Sequence, residues 1–302
     1  MKELFTFIAV TVGQRYKPKS KKAFTEYVAT EFDSIGYKVR IDDQTSKGKR
    51  MINLFFGDVK NAKTIVMAGY DTPPSGIRIK KEYYPFDYAR NKQNAVRNLT
   101  VQAIVSVILI SLLPLGYLLF WSDADLTVRI VLSILGVIIL GCMYFISGGS
   151  GNPVNFNRNS AALTILFELA RKEKKKEAAY VLVDKTCLGF EGYKAVLSRF
   201  GADESKYRFI ILDCVGHGEV TEIISTARAS DDYGAINAMP NTNLRVDSTS
   251  LPINLFTKCI QISGGQPDDR SVLVVNNTGG MKDTVVDIDY MHGILNLLKK
   301  LT

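Results

Sequence analysis

Histidine and cysteine are scarce in this chain of 302 residues, which has two histidines and four cysteines. Cys142, Cys187, Cys214 and Cys259 are scattered, and no pair has the CxxC spacing. Neither a zinc knuckle nor a disulfide framework is indicated. Free thiols favour a reducing, cytoplasmic setting for the water-soluble part. The N-terminal apolar stretch has no convincing small-residue cleavage site, so we expect no signal peptide.

A nucleic-acid surface is also not indicated. The net charge is +8, but no stripe of interleaved basic and aromatic residues accompanies it. Apolar residues make up 46% of the chain and charged residues 23%, which is typical of a protein that buries a core. The length suits one large domain or two small ones.

Two long apolar runs dominate the middle of the chain. Residues 99–121 contain no charge, and residues 126–146 contain only Arg129. A helix needs about 20 apolar residues to cross the hydrocarbon core of a bilayer. The alternative is a pair of buried core helices, but helices of water-soluble proteins usually keep a polar face over this length. We therefore predict a transmembrane hairpin at 99–146.

The short acidic link between the two runs, residues 122–125, implies that both flanks of the hairpin lie on one side of the membrane. The upstream flank is rich in lysine and arginine, which places that side in the cytoplasm. The sequence thus predicts a multi-pass protein of the cell membrane with two spans. Its water-soluble domain, residues 1–98 and 147–302, and both of its termini would be cytoplasmic.

The water-soluble residues alternate between apolar strands and amphipathic helices. Strands are predicted at 37–41, 52–56, 63–69, 179–184, 208–213 and 271–276, and helices at 24–35, from Asn159, at 193–200 and at 287–300. This alternation indicates an α/β fold with a largely parallel sheet covered on both faces. Functional sites in such sheets form at the carboxyl ends of strands. The residues at those ends are Asp71, Asp184, Lys185 and Asp213.

Five segments, in this order, resemble the M28 family of zinc aminopeptidases. They are KTIVMAGYDTPP (63–74), NRNSAALTILFELAR (157–171), YVLVDKTCLGFEGYKAV (180–196), FIILDCVG (209–216) and TGGMKDTVVDID (278–289). The resemblance spans nearly all of the water-soluble part. It implies a three-layer sandwich around a largely parallel mixed sheet, interrupted here by the transmembrane hairpin.

The resemblance also implies a site with two zinc ions, held by histidines and carboxylates, and a glutamate as general base. In this sequence, Gly69 stands at the first histidine position, Gly279 or a neighbour at the last, and Arg158 at the bridging aspartate. Thr186 and Cys187 replace the two glutamates. Only Asp213 matches a zinc ligand, and Asp71 matches the aspartate that orients the missing histidine. The resemblance therefore implies a vestigial cleft with no metal, no cofactor and no catalytic residues.

The leading functional hypothesis is a membrane-anchored, non-catalytic binding or scaffold subunit of a membrane complex. Its partners would be the lipid bilayer and another membrane protein. The alternative is an active membrane-anchored aminopeptidase or other hydrolase with a rebuilt site. Cys187, Cys214 and His217 are the candidates for such a site, with zinc as the cofactor or with Cys187 as nucleophile and His217 as base. The cysteines could equally be small buried apolar residues. A third, weaker hypothesis is a transporter-associated subunit.

Arg158 raises a question of charge. Without a metal, the carboxylates of the cleft would be unpaired, which is costly. We predict that the Arg158 guanidinium pairs with Asp213, with Asp71 nearby or bonded to backbone. The alternative is an Arg158 that points to solvent.

The hairpin is inserted between Asp71 and Arg158, so we expect the cleft to face the membrane, with residues 73–92 forming a collar near the headgroups. A hairpin on a flexible tether is the alternative.

Overall fold

The computed structural model describes residues 1–46, 48–121, 125–146, 148–172, 177–187, 189–226, 240–247 and 252–302. Most of the predicted link, residues 122–124, lies outside these ranges. The helices are α1 (Lys2–Thr6), α2 (Pro18–Ser34), α3 (Tyr88–Phe120), α4 (Leu126–Ile146), α5 (Ala161–Lys172), α6 (Glu191–Phe200) and α7 (Ile288–Leu301). The strands are β1 (Val39–Ser46), β2 (Lys49–Gly57), β3 (Thr64–Gly69), β4 (Ala178–Val183), β5 (Arg208–Asp213), β6 (Val220–Ser225), β7 (Thr242–Val246), β8 (Cys259–Pro267) and β9 (Leu273–Val274).

The described strands form one nine-stranded mixed sheet. Its order is β1-β2-β4-β3-β5-β8-β6-β7, with β9 paired to β8. The central strands β4, β3, β5 and β8 are parallel to one another, whereas β1, β2 and β6 join antiparallel. Every position of β3 and β4 is buried, as expected for strands covered on both faces. The predicted α/β fold class is confirmed.

Helices cover both faces of the sheet and create two hydrophobic clusters. On one face, α1, α2, α5 and α7 pack against alternate strand residues such as Val66 and Ile210. On the other face, α6 packs against the intervening residues, such as Ile65 and Ile211. Helix α7 begins where the Asp287 carboxylate accepts from the backbone N–H groups of Asp289 (2.9 Å) and Tyr290 (3.1 Å).

Helices α3 and α4 form the predicted hairpin and stand apart from the sheet. Both helices are long and apolar enough to span a membrane, judged by length and composition. The most apolar stretch of each helix is not buried against the rest of the chain. The predicted first span, 99–121, proves to be part of a longer helix. Helix α3 already begins at Tyr88, after Asp87 caps its first turn by accepting from the Arg90 backbone N–H at 2.9 Å.

Three predictions of secondary structure need correction. The predicted strand 271–276 is reduced to the two-residue strand β9, because only Leu273 and Val274 pair with β8, whereas Val275 forms an isolated bridge with Tyr83. The helix predicted from Asn159 begins at Ala161, because residues Phe156–Ser160 form a π-helical turn. Strands β6, β7 and β8 were not predicted from the sequence. Strand β8 contains two glycines and the buried polar residues Gln261 and Ser263. These residues interrupt the apolar pattern from which a buried strand is predicted.

Candidate functional site

A cluster of charged side chains lies at the carboxyl ends of β3, β4 and β5. Asp71 follows β3, and Asp213 is the last residue of β5. Because β3 and β5 are parallel neighbours, both carboxylates lie at the same edge of the sheet. Arg158 reaches this edge from the π-helical turn that precedes α5.

The predicted pair between Arg158 and Asp213 is present. Arg158 Nη1 donates to Asp213 Oδ1 at 3.1 Å and to Oδ2 at 3.3 Å. The guanidinium carbon lies 3.4 Å from the centre of the Tyr83 ring, and Tyr83 Oη donates to Asp213 Oδ2 at 2.7 Å. Arg158 is only 8% exposed. Burial works to lower the pKa of Arg158, but the Asp213 carboxylate outweighs it and keeps that pKa well above its ordinary value.

Asp71 is satisfied by hydrogen bonds rather than by a cation. Its Oδ1 accepts from the backbone N–H of Thr186 at 2.8 Å and from the Thr186 hydroxyl at 2.7 Å. Its Oδ2 accepts from the backbone N–H of Cys187 at 3.3 Å. Asp184 lies off the cluster, where it forms a buried ion pair with Lys21. Neither carboxylate of the cleft is therefore left unpaired.

The two glycine positions have no room for larger side chains. A Cβ on Gly69 would clash with Thr186 Oγ1. A Cβ on Gly279, whose φ is +69°, would lie 2.6 Å from Nη1 of Arg78. Thr186 and Arg78 thus fill the space that side chains at positions 69 and 279 would need. Arg78 was missed as a site residue, because its sequence context marks it only as one of several basic residues before the hairpin.

A covering segment, residues 76–87, runs across the mouth of the cleft. Its Tyr83 lies over Arg158, and the Tyr83 backbone exchanges two hydrogen bonds with Val275, at 2.9 and 2.8 Å. Phe86 is buried in the second hydrophobic cluster. The residues expected to form a headgroup collar therefore include a stretch that covers the cleft.

A row of amide side chains on α3 holds the covering segment. Asn91 bonds the backbone of Tyr84 (2.9 and 2.6 Å), and Asn94 bonds the carbonyl of Glu82 (3.3 Å). Asn98 accepts from the N–H groups of Ile79 and Lys80, both at 3.0 Å, and donates to the Lys80 carbonyl at 2.9 Å. Gln102 donates to the Ile77 carbonyl at 3.0 Å. Residues spaced three or four apart share one helix face, so Asn91, Asn94, Asn98 and Gln102 form one continuous row, here called the amide row.

The structure does not assemble the rebuilt site. Burial and the Asp71 charge raise the pKa of Cys187 to about 12, and burial raises that of Cys214 well above its ordinary value. Neither thiol would form the reactive thiolate near neutral pH. His217 is exposed and lines a separate cavity of about 260 Å³ with Asn157 and Asp283. Among the described residues, no hydrogen bond joins His217 to either thiol.

The donor set does not fit zinc. Structural and catalytic zinc sites need three or four imidazole, thiolate or carboxylate ligands converging on one point. The part of the chain that the structure describes contains no group of three or more His, Cys, Asp or Glu side chains arranged to hold a metal ion. Asp213 faces a guanidinium, and Asp71 faces N–H and O–H donors.

The fold is shared with aminopeptidases and glutaminyl cyclases of known structure. The aminopeptidase LapA of Legionella pneumophila aligns over 99% of this chain and 67% of its own, with a TM-score of 0.53 and 9% identity. Glutaminyl cyclase of Fimbriiglobus ruber aligns over 98% and 92% (TM-score 0.55, 14% identity), and that of Macrostomum lignano over 100% and 89% (TM-score 0.55, 11% identity). No sequence-family description and no curated protein sequence matches the chain. The chain thus has a peptidase-like scaffold.

Replacing Arg158 with alanine should lower the free energy of unfolding by about 3–5 kcal/mol, because it orphans the Asp213 carboxylate in a closed cleft. The measurement is chemical denaturation in detergent. Arg171→Ala is the matched control, since Arg171 pairs with Glu31 at 2.6 Å but both side chains are about a third exposed. That control should cost less than about 1 kcal/mol. Equal losses for the two variants would contradict a buried, stabilising pair.

The turn that carries Arg158 should respond to pH through Asp283. This carboxylate accepts from the backbone N–H groups of Asn157 (3.1 Å) and Arg158 (3.3 Å), and burial raises its pKa from 3.8 to about 6. The folded chain therefore holds this proton more tightly than the unfolded chain does. The resulting stabilisation is complete below pH ~4 and is lost as the pH rises through about 6, a change of roughly 3 kcal/mol.

Thermal melting between pH 4 and pH 7.5 tests this. Asp283→Asn should remove most of the stability difference between pH 5 and pH 7.5, because asparagine does not titrate. Asp269→Asn, at an exposed position, should leave the difference unchanged. An unaltered pH profile in Asp283→Asn would show that another group is responsible.

The amide row should control how firmly the covering segment stays closed. Asn98→Ala removes three hydrogen bonds, at about 1 kcal/mol each, so backbone exchange in the segment should rise at least tenfold. The informative site is Tyr83, whose N–H bonds Val275 and not α3. Hydrogen–deuterium exchange of peptides covering Tyr83 is the measurement, and Gln93→Ala, an exposed amide on α3, is the control. Faster exchange confined to residues 79–80 would contradict a coupled segment.

Proposed function

We propose that this protein is a membrane-anchored, non-catalytic binding or scaffold subunit built on a peptidase-like fold. The observation that carries the proposal is the Arg158–Asp213 pair beneath Tyr83. A guanidinium at the carboxyl edge of the sheet repels divalent metal ions and engages the one carboxylate that matches a zinc ligand. The cleft is thus filled by the chain's own side chains.

The side chains near this pair are poorly suited to hydrolysis. Activation of water needs a base that is unprotonated near neutral pH and reaches the water directly. The Thr186 hydroxyl is bonded to Asp71, and that carboxylate is taken up by Thr186 and Cys187. The Cys187 thiol has a pKa of about 12 and stays protonated. Catalysis would need both a new base and an opened cleft.

The hairpin supplies the membrane anchor in this proposal. The exposed apolar faces of α3 and α4 suit the hydrocarbon core, and the lysines and arginines upstream favour the cytoplasmic side for the soluble domain and both termini. Gly151, just after the hairpin, forms a bridge with Pro74, just after Asp71. This contact supports a cleft that faces the bilayer. Lys17 Nζ donates to Tyr144 Oη at 2.7 Å and fastens the end of α4 to the domain.

The bilayer and a second membrane protein are the proposed partners. Lipid tails are as apolar as the hairpin's leucines, so a partner helix would bind through close packing rather than through hydrophobic burial. A closed, rigid cytoplasmic domain beside such a contact suits a scaffold that presents surfaces rather than turning over a substrate.

Metal analysis and an aminopeptide hydrolysis assay on the detergent-purified full chain test the loss of catalysis. We expect less than one zinc per ten chains and no turnover above a sample heated to unfolding, because the cleft offers no ligand set. Stoichiometric zinc, together with turnover that Asp213→Ala abolishes and the surface variant Lys300→Ala does not, would establish the active-hydrolase alternative and overturn the proposal.

A further inference from the structure

A second groove lies at the opposite edge of the sheet from the cleft. It is a cavity of about 510 Å³ between the outer strands β1 and β2, the end of α6 and the turn after β2. Its floor is aromatic, from Phe55, Phe200 and Tyr207. Its walls carry the basic side chains Lys38, Arg40, Lys60 and Arg199. The volume falls within the range of about 300–1,000 Å³ that holds small organic ligands.

The groove follows from how the sheet is covered. Arg40 is paired with Phe55 across β1 and β2, so both side chains are on the same face of the sheet. Helix α6 packs on β2 and β4 on that face and ends at Phe200, which leaves β1 uncovered. Gly57, the last residue of β2, has no side chain to fill the gap.

The charges on the walls are unbalanced. Lys38, Arg40, Lys60 and Arg199 are all exposed, and no ion pair joins them to a carboxylate within the described ranges. The two acidic residues of the groove have other partners. Asp58 accepts from Asn61 Nδ2 at 2.7 Å, and Asp203 pairs with Lys206. Like charges held together repel one another, so an anion bound among them would relieve that repulsion.

The position of the groove disfavours the headgroups of the protein's own membrane as its ligand. Its turn at Asp58–Lys60 precedes β3, and Tyr207 precedes β5, so the groove lies at the amino ends of the parallel strands. The hairpin and the Arg158 cluster lie at the carboxyl ends. The six-residue strands between them span about 20 Å. On the proposed membrane topology, a soluble anion therefore fits this position better than a headgroup.

The geometry points to a binding site for a soluble nucleoside phosphate in this groove. Arginine and lysine suit phosphate oxygens, because guanidinium offers paired donors and ammonium a compact charge. The aromatic floor suits a flat, weakly polar base. An inorganic anion would leave the floor unused, and an uncharged nucleoside would leave four cations unpaired. This inference does not depend on the chemistry of the cleft.

Isothermal titration of the full chain in detergent tests the inference with three probes. They are ATP, inorganic triphosphate and adenosine. We expect ATP to bind at least tenfold more tightly than either of the other two, because only ATP uses both the walls and the floor. Equal binding of ATP and triphosphate would reduce the groove to non-specific anion adsorption and overturn the proposal.

Charge reversal locates the site. Arg40→Glu and Arg199→Glu should each weaken ATP binding at least tenfold, and both residues are exposed, so the fold should survive. Lys194→Glu is the matched control, because it makes the same charge change on an exposed position of α6 away from the groove lining, and it should leave binding within about twofold. Loss of binding in the control alone or in no variant would place the ligand elsewhere.

Two competition experiments test whether the anion comes from another source. Vesicles with phosphatidylserine and a hexaglutamate peptide are each titrated against ATP. Displacement of ATP by the peptide at lower concentration than by unlabelled ATP would identify an acidic protein segment as the ligand and refute the nucleotide. Displacement by vesicles in proportion to their anionic lipid would do the same in favour of a membrane surface.

Discussion

A guanidinium held between a carboxylate and an aromatic ring organises one whole edge of this molecule. The Arg158 side chain joins three parts of the chain that are far apart in sequence, namely the turn before α5, the end of β5 and the covering segment. The pair is strong because water is nearly absent around it, and for the same reason neither partner tolerates being left alone. Tyr83 is fixed by this contact together with its two backbone hydrogen bonds to Val275.

The same edge shows how two carboxylates of one cleft are balanced without a metal ion in this structure. The two carboxylates of the cleft have different hydrogen-bond partners. Asp213 takes a cation, and Asp71 takes two backbone N–H groups and one hydroxyl. The two glycines leave space that neighbouring side chains occupy. Thr186 lies beside Gly69, and Arg78 lies beside Gly279. These residues therefore form a set in which each side chain fits its neighbours.

The sequence predicted the central architecture because its signals are local. Strands β3, β4 and β5 are almost entirely apolar runs with an aspartate at or just after the end of each, and the hairpin consists of two long apolar runs that contain a single charge, Arg129. The Arg158–Asp213 pair could be predicted because the family resemblance places both residues in one cleft, where a carboxylate without a metal needs another cation. Arg78, Tyr83 and the amide row could not, because their roles depend on how an irregular segment folds back over the sheet. Asn91, Asn94, Asn98 and Gln102 have helical spacing, yet nothing local says that they bond a backbone rather than water.

The amide row has a mechanical consequence. Helix α3 has 33 residues and runs about 50 Å, and its only proline, Pro114, lies beyond the row toward the far end. One continuous helix thus carries both a long apolar stretch and the amides that hold the covering segment. A helix that is longer than the local bilayer is thick adjusts by tilting. In the proposed membrane-anchored protein, a tilt of α3 would move the covering segment and with it Tyr83 above Arg158, so bilayer thickness would act on a site that touches no lipid.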